Sequence, residues 1–230
     1  PTLSELYATD IAKKNDRLTI GNLDLKPEKN NYFSLSAEYV HERFSVSVNA
    51  FYNNIRDMID YNTIATGDKA MEQYGHKEVR QRDNIAEAKV HGINVSANAY
   101  LGAGFNLSGG YTHLNTQDVE LEQPIDKSIK NAYNINAQWA HSWKIYRLNI
   151  NLNGRFNSKR FSKSYGYAPE YQLWDLNTRH SFNLKSVIIE PGCGMENLFD
   201  YMDDRPYNSN YATLTPGRSF YISLSLKFKS

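Results

Sequence analysis

Arginine, lysine and tyrosine concentrate in two segments of this chain. Arg160, Lys163, Tyr165, Tyr167 and Tyr171 fall in one stretch, and Arg205, Tyr207 and Tyr211 in another. Guanidinium and ammonium groups pair with anions, and tyrosine rings stack on flat or cationic groups. The chemistry these residues suit is noncovalent: capture of an anionic, aromatic ligand. Nothing points to bond making. His41, His76, His91, His113, His141 and His180 show no metal-ligand spacing, and Cys193 is the single cysteine. Neither a metal site nor an intrachain disulfide follows. Glu38, Asp175 and Glu196 stand at polar strand positions, where solvated charge is ordinary. No nucleophile elbow and no acid–base pair stands out. No catalytic residue and no cofactor is expected.

The elements that must position these residues are strands. Phe220, Ile222, Leu224, Leu226 and Phe228 alternate with Tyr221, Ser223, Ser225 and Lys227, giving one apolar and one polar face. The pattern recurs eight times upstream. Its starts are Phe33–Tyr39, Phe44–Tyr52, a strand through Ile93 to Leu101, and Phe105 to about Asn115. Then come Tyr133–Trp139, Leu148–Phe156, Trp174–Phe182 and about Val187–Phe199. Asn, Ser, Gln and Arg repeat on the polar faces. The stretches 62–82, 116–130, 157–170 and 201–217 read as long loops, and 1–30 as a polar lead-in. The turns at 41–43, 102–104, 141–144 and 183–186 are short.

Short and long connections therefore alternate. Outer-membrane barrels have short periplasmic turns and longer outside loops, with apolar side chains outward and polar ones inward. A soluble sandwich has no reason to sort loop length by parity. The mean hydropathy of −0.64 leaves no run near the ~20 apolar residues of a membrane helix. It does not exclude a barrel, whose strands place only every second residue in lipid. Tyrosine (17), phenylalanine (10) and tryptophan (3) are abundant, as suits a water–lipid boundary. A net charge of +1 carries no nucleic-acid signal. Nine strands with the first beginning outside do not make a whole even-stranded barrel. The expectation is a C-terminal piece of a larger one, its edges completed by strands not in this sequence.

Several segments resemble TonB-dependent outer-membrane receptors. Pro1-Thr2-Leu3-Ser4-Glu5-Leu6-Tyr7 looks like an outer-loop segment of that family. Gly21-Asn22-Leu23-Asp24-Leu25-Lys26-Pro27-Glu28 is similar to its "GN…L-K-P-E" box. Phe51 to Ile59 looks like a strand ending in "DxI", and Ala88 to Asn94 like its "A-x-x-x-G-x-E" strand start, with Asn94 for Glu. Glu196-Asn197-Leu198-Phe199-Asp200 matches its "ENLFD" signature, and Pro216-Gly217-Arg218 with the last strand matches its end. Phe220 and Phe228 stand where the family's terminal strand is read by the barrel-assembly machinery, although Lys229 and Ser230 follow.

The resemblance implies an all-β, antiparallel transmembrane barrel wall, the last nine strands of a barrel of about 22 strands with a plugged lumen. Residues 1–230 would be the C-terminal part of that barrel domain, with the plug and TonB box upstream. It implies a receptor integral to the bacterial outer membrane, in contact with lipid and lipopolysaccharide. Such a receptor takes up a scarce ligand with energy delivered by the TonB complex. A ferric siderophore is the first expectation, with haem or cobalamin as alternatives; no histidine precedes the "K-P-E" box, which lowers the haem reading. Arg160, Lys163, Tyr165, Tyr167, Arg205, Tyr207 and Tyr211 would face the ligand, a ferric catecholate for example. The same residues also suit loops that merely meet lipopolysaccharide phosphate. A passive porin, a non-functional truncated receptor, an outer-membrane hydrolase and a soluble carbohydrate-binding sandwich are the competing readings.

Overall fold

The computed structural model describes residues 1–162, 166–203 and 216–229. Its elements in chain order are α1 (Leu3–Tyr7), β1 (Thr9–Ala12), β2 (Arg17–Ile20), β3 (Lys29–His41), β4 (Phe44–Thr66), α2 (Gly67–Tyr74), β5 (Glu78–Gly102) and β6 (Phe105–Asp118). They continue with β7 (Asn131–Trp143), β8 (Tyr146–Asn157), β9 (Arg160–Ser162), β10 (Gly166–Ala168), β11 (Tyr171–Asn183), β12 (Val187–Glu196) and β13 (Ser219–Phe228). No helix among the described residues is long and apolar enough to cross a membrane. The chain divides into two compact units, and β3, β4, β5 and β6 each contribute to both.

The first unit gathers Pro1–Phe33, Tyr52–His91 and Thr116–Pro124. It departs from the expected loops. Residues 1–30 hold a capped helix and a hairpin: Thr2 and Glu5 close a capping box on α1, and β1 pairs antiparallel with β2. β2 then runs parallel to β5, from Arg17 opposite Glu78 to Ile20 opposite Gln81. The stretch 62–82 is the end of β4, α2 and the start of β5, not a loop. Ala65, Ala70 and Val79 are buried there, with Leu18, Ile20, Ile64 and Tyr74 packed on them. The "DxI" segment does not end its strand either. Asp57 adopts φ 56°, and β4 continues past it to Thr66. A left-handed residue inside a strand breaks strict alternation, so the extension lost its sequence signature.

The second unit gathers Ser34–Phe51, Gly92–Asn115 and the described residues from Ile125 onward. Its ladder runs β3-β4-β5-β6-β7-β8-β11-β12-β13, the nine strands expected from the alternation. The connections of two or three residues (Glu42-Arg43, Ala103-Gly104, Lys144-Ile145 and 184–186) alternate with long ones, as expected. Two boundaries differ. The segment 157–170 contains the separate hairpin β9–β10. β12 stops at Glu196 because Asn197 turns left-handed at φ 52°.

Register sorts the side chains. Tyr133, Ile135, Ala137, Trp139, His141 and Trp143 of β7 stand opposite Phe156, Gly154, Leu152, Ile150, Leu148 and Tyr146 of β8. Cross-strand partners share a face, so this is one apolar sheet surface. It continues through Leu176 opposite Met195, and then Ile189, Pro191, Cys193 and Met195 opposite Leu226, Leu224, Ile222 and Phe220. These side chains are turned outward rather than into a core. Ile222 is 88% exposed and Phe228 82%, while the unit's buried apolar residues are only Ala168 and Leu173 among those described. An apolar surface of this extent on a soluble protein would be far beyond the few hundred Å² a monomer tolerates. In a bilayer it is the lipid contact.

Rings bound that surface at both ends. Toward the long loops Tyr111 stacks on Tyr133 at 4.6 Å, and Tyr133 meets the tilted ring of Phe156 at 5.5 Å. Phe105, Trp139, His141, Trp143, Tyr146, His180 and Phe182 form a contiguous belt beside the short turns. Ten residue steps separate Tyr133 from Trp143. At strand rise that is about 33 Å along β7, or about 25 Å of membrane depth at the usual tilt. Barrel girdles are spaced so, and the two ring belts therefore mark the water–lipid boundaries.

Candidate functional site

The polar face of the same strands is an amide wall. Asn134, Asn136 and Gln138 of β7 stand opposite Arg155, Asn153 and Asn151 of β8. Asn153, Asn151 and Asn149 in turn stand opposite Asp175, Asn177 and Arg179 of β11. Asn136 Nδ2 donates to both Asn151 Oδ1 and Asn153 Oδ1 at 2.6 Å. A groove of about 290 Å³ with mixed polar and apolar lining opens there, bounded by Asn134, Ile135, Asn136, Asn153, Gly154, Arg155, Leu173 and Asp175. Arg147, Arg155 and Arg179 are exposed on this face and form no ion pair among the described residues. Ionisable side chains at membrane depth face water-filled interior rather than lipid. The wall's amides and guanidinium groups present hydrogen-bond donors and acceptors suited to polar solutes. No group of three or more His, Cys, Asp or Glu side chains converges among the described residues.

The loop residues singled out for ligand contact fall in β9–β10 or outside the described residues. Lys163, Tyr165, Arg205, Tyr207 and Tyr211 lie outside them. Arg160 stands opposite Ala168, and Phe161 opposite Tyr167. Successive residues of a strand point to opposite faces. Tyr167 therefore shares a face with Phe161, their rings 5.3 Å apart, and Arg160 sits on the other face. Tyr167 is 55% exposed, while Arg160 is half-buried with its backbone bridged to Ile129. Phe161 N donates to the Ser128 carbonyl at 3.0 Å and Lys127 N to the Phe161 carbonyl at 2.9 Å, which anchors the hairpin to the neighbouring long loop. Tyr171 starts β11, where its hydroxyl accepts from Asn157 Nδ2 at 2.6 Å.

The family boxes are clamps. A Cβ on Gly21 would lie 2.5 Å from the Leu6 carbonyl oxygen, so only glycine lets α1 close on this turn. Asn22 accepts from Asp24 N through Oδ1 and donates through Nδ2 to the Arg82 carbonyl. Lys26 N donates to Asn84 Oδ1 at 2.7 Å, and Asn84 Nδ2 donates back to the carbonyls of Lys26 and Asp57. Leu25 is buried, and Glu28 Oε1 accepts from Ile59 N at 2.8 Å. Lys29 pairs with Asp57 at 2.9 Å, and its hydrogen bond holds that carboxyl below the usual range. The box thus pins the chain entering β3 to the left-handed point of β4.

The second box ties β12 to β13. Asn197 N donates to Asp175 Oδ1, and Leu198 N to the Trp174 carbonyl. Asn197 Oδ1 accepts from Tyr201 N, and its Nδ2 donates to the Tyr201 and Pro216 carbonyls. Asp200 Oδ1 accepts from Arg218 N at 2.6 Å, Glu196 accepts from Ser219 Oγ at 3.2 Å, and Phe199 meets Trp174 edge-on. Phe220 and Phe228 stand on the apolar face opposite Met195 and Val187. Sequence reasoning missed Asn84 and the Arg82–Tyr61 pair, in which the guanidinium lies 3.7 Å from the ring centroid. Their partners are far along the chain, and no local spacing announces them.

Comparison with known proteins gives the same picture. The profile "TonB dependent receptor-like, beta-barrel" matches residues 1–198. A probable TonB-dependent siderophore receptor, PiuA of Acinetobacter baumannii, is 28% identical over 162 residues, covering 63% of this chain and 21% of that protein. The chain thus spans about a fifth of that relative's length. The fold resembles the ferric enterobactin receptor PfeA of Pseudomonas aeruginosa in complex with enterobactin (TM-score 0.69, 21% identity, 92% of this chain and 33% of that one). It also resembles the ferric preacinetobactin receptor BauA of Acinetobacter baumannii (TM-score 0.63, 18% identity, 88% and 30%). The copper transporter OprC shares the fold as well (TM-score 0.68, 14% identity, 100% and 35%). Lipid-facing strands, ring belts and clamped boxes fit that placement in the bacterial outer membrane, and the chain belongs to the TonB-dependent receptor β-barrel family of transport receptors.

Proposed function

We propose that this chain is the C-terminal part of a receptor barrel that imports a ferric siderophore with energy from TonB. The observation that carries the reading is the pairing of a lipid-facing apolar surface with an amide and arginine wall on the opposite face. The sequence likeness to PiuA favours a siderophore over the other ligands of the fold. A plug and TonB box would precede this segment in the intact protein, and the barrel-assembly machinery would read Phe220 and Phe228. Arg160, Lys163, Tyr165, Tyr167, Arg205, Tyr207 and Tyr211 would meet the ligand from the outer loops, the exposed ring of Tyr167 by stacking. The ligand would pass without any bond being made or broken in it, so no enzymatic step is assigned.

The test is uptake of radiolabelled ligand, iron for the ferric compounds and haem and cobalt for cobalamin, by iron-starved cells that express the intact protein. Ferric enterobactin, other ferric siderophores, haem and cobalamin are supplied in turn, with TonB present or deleted. TonB-dependent uptake of a ferric siderophore is expected, weakened by Arg160→Ala and Tyr167→Ala. Equal uptake without TonB would identify a passive pore instead.

A further inference from the structure

The short-turn end of the second unit carries three lysines that form no ion pair among the described residues. The turn Lys144-Ile145 joins β7 to β8, and the turn 184–186 joins β11 to β12. They are neighbours, because Asn183 N donates to the Ile145 carbonyl at 2.7 Å. Lys229 follows β13 onto the same place. Its backbone N–H donates to the Ser186 carbonyl at 3.0 Å, and its ammonium donates to Asn183 Oδ1 and to the Leu184 carbonyl. Lys144, Lys185 and Lys229 thus sit on adjoining turns, all exposed. Lys229 is held by neutral oxygens, and none of the three forms an ion pair among the described residues.

The setting of these lysines specifies the partner. Directly beside the turns lies the ring belt: Trp143 stacks on Tyr146 at 5.5 Å, and Tyr146 meets the tilted ring of Phe182 at 5.0 Å. Trp143, Ile145, Leu184 and Phe228 are exposed apolar residues around the same turns. Rings of this kind sit at headgroup level, and lysines just beyond them meet the headgroups. A soluble anion would have no use for that apolar border; a phospholipid needs both parts. Short turns mark the periplasmic side.

We propose that Lys144, Lys185 and Lys229 form a binding site for the phosphate of an anionic phospholipid in the periplasmic leaflet, whose acyl chains lie against Trp143, Tyr146 and Phe182. Phosphatidylglycerol is the probe. The intact protein, solubilised in detergent, is titrated with phosphatidylglycerol or phosphatidylcholine, and bound lipid is counted by native mass spectrometry. Phosphatidylglycerol should be retained in preference to phosphatidylcholine. Each lysine-to-glutamine change should weaken it by about fivefold, and Lys144→Gln with Lys185→Gln together by more than tenfold. Lys13→Gln in the first unit should leave retention unchanged. Because Lys229 also braces a turn, the double variant that spares it carries the test, with heat-modifiable gel mobility confirming its fold. Equal retention of the two lipids, unchanged retention by the folded double variant, or displacement of the lipid by inorganic phosphate alone would each overturn the proposal.

Discussion

Replacing Asn197 by alanine should release the end of β12 from β13. The side chain is 5% exposed and its backbone stands at φ 52°. Oδ1 accepts from Tyr201 N at 2.8 Å; Nδ2 donates to the Tyr201 carbonyl at 2.7 Å and to the Pro216 carbonyl at 3.4 Å. Alanine loses all three bonds. At about 1 kcal/mol net each, with the longest worth less, the loss is about 2–3 kcal/mol. Alanine must also adopt left-handed backbone, which adds about 1–2 kcal/mol. The sum is about 3–5 kcal/mol. Glycine loses the same bonds but takes the left-handed conformation freely. Asn197→Gly should therefore be milder than Asn197→Ala by about 1 kcal/mol. The assay is urea unfolding of the intact protein in micelles, followed by loss of heat-modifiable gel mobility. An alanine variant within about 0.5 kcal/mol of the parent, the range of an ordinary surface change, would refute the clamp. So would an alanine variant more stable than the glycine one.

A Cβ on Gly154 would stand 2.6 Å from the Trp174 ring and 2.8 Å from Ile135 Cγ2. Gly154→Ala should lower stability by about 1–3 kcal/mol through overpacking, and Trp174→Leu should relieve it; an additive double variant in the same urea assay would count against this packing. Glu28→Ala removes the acceptor of an exposed Ile59 N–H, which water then meets, so it should cost only about 0.5–1.5 kcal/mol, whereas Glu28→Gln retains an oxygen there; faster amide exchange at Ile59 in the alanine variant alone is the expected readout. His76 Nδ1 lies 2.9 Å from Asp16 Oδ1, and this hydrogen bond holds the Asp16 carboxyl below its ordinary value of 3.8. A depressed carboxylate pKa contributes stability above the unfolded value and loses it as pH falls through the folded one. A spin label at the exposed Asn15 should then gain mobility as the pH drops below 3.8, and His76→Ala should abolish that transition. A label whose mobility is the same on both sides of that range would remove the Asp16–His76 latch from consideration.

Tyr133, Ile135, Ala137 and Trp139 announced β7 in the sequence because lipid on one face enforces a period of two. The short turns were equally plain, since glycines or a two-residue gap interrupt the alternation there. Away from lipid that constraint lapses, and the burial of Ala65, Ala70 and Val79 comes from packing on residues distant in the chain. Asn62 to Arg82 therefore read as loop while forming the end of β4, α2 and the start of β5. The hairpin β9–β10 stayed hidden for a simpler reason: strands of three residues leave too short a pattern to detect.

The candidate loop site divides in the same way. Composition singled out Arg160 and Tyr167 as residues able to hold an anionic, aromatic ligand. Register alone decided that they occupy opposite faces of one hairpin. The boxes around Gly21 to Glu28 and Glu196 to Asp200 were recognisable as strings, but their work was not. Asn84 reaching Lys26 and Asp57, and Asn197 reaching Pro216, are meetings of residues distant along the chain. Local alternation is a one-dimensional record of which face meets lipid, so the sequence by itself determined the nine strands of the lipid-facing ladder, their faces and the sorting of turns. Contacts across the sheet depend on pairing register and on left-handed points such as Asp57 and Asn197, and those only the tertiary structure decided.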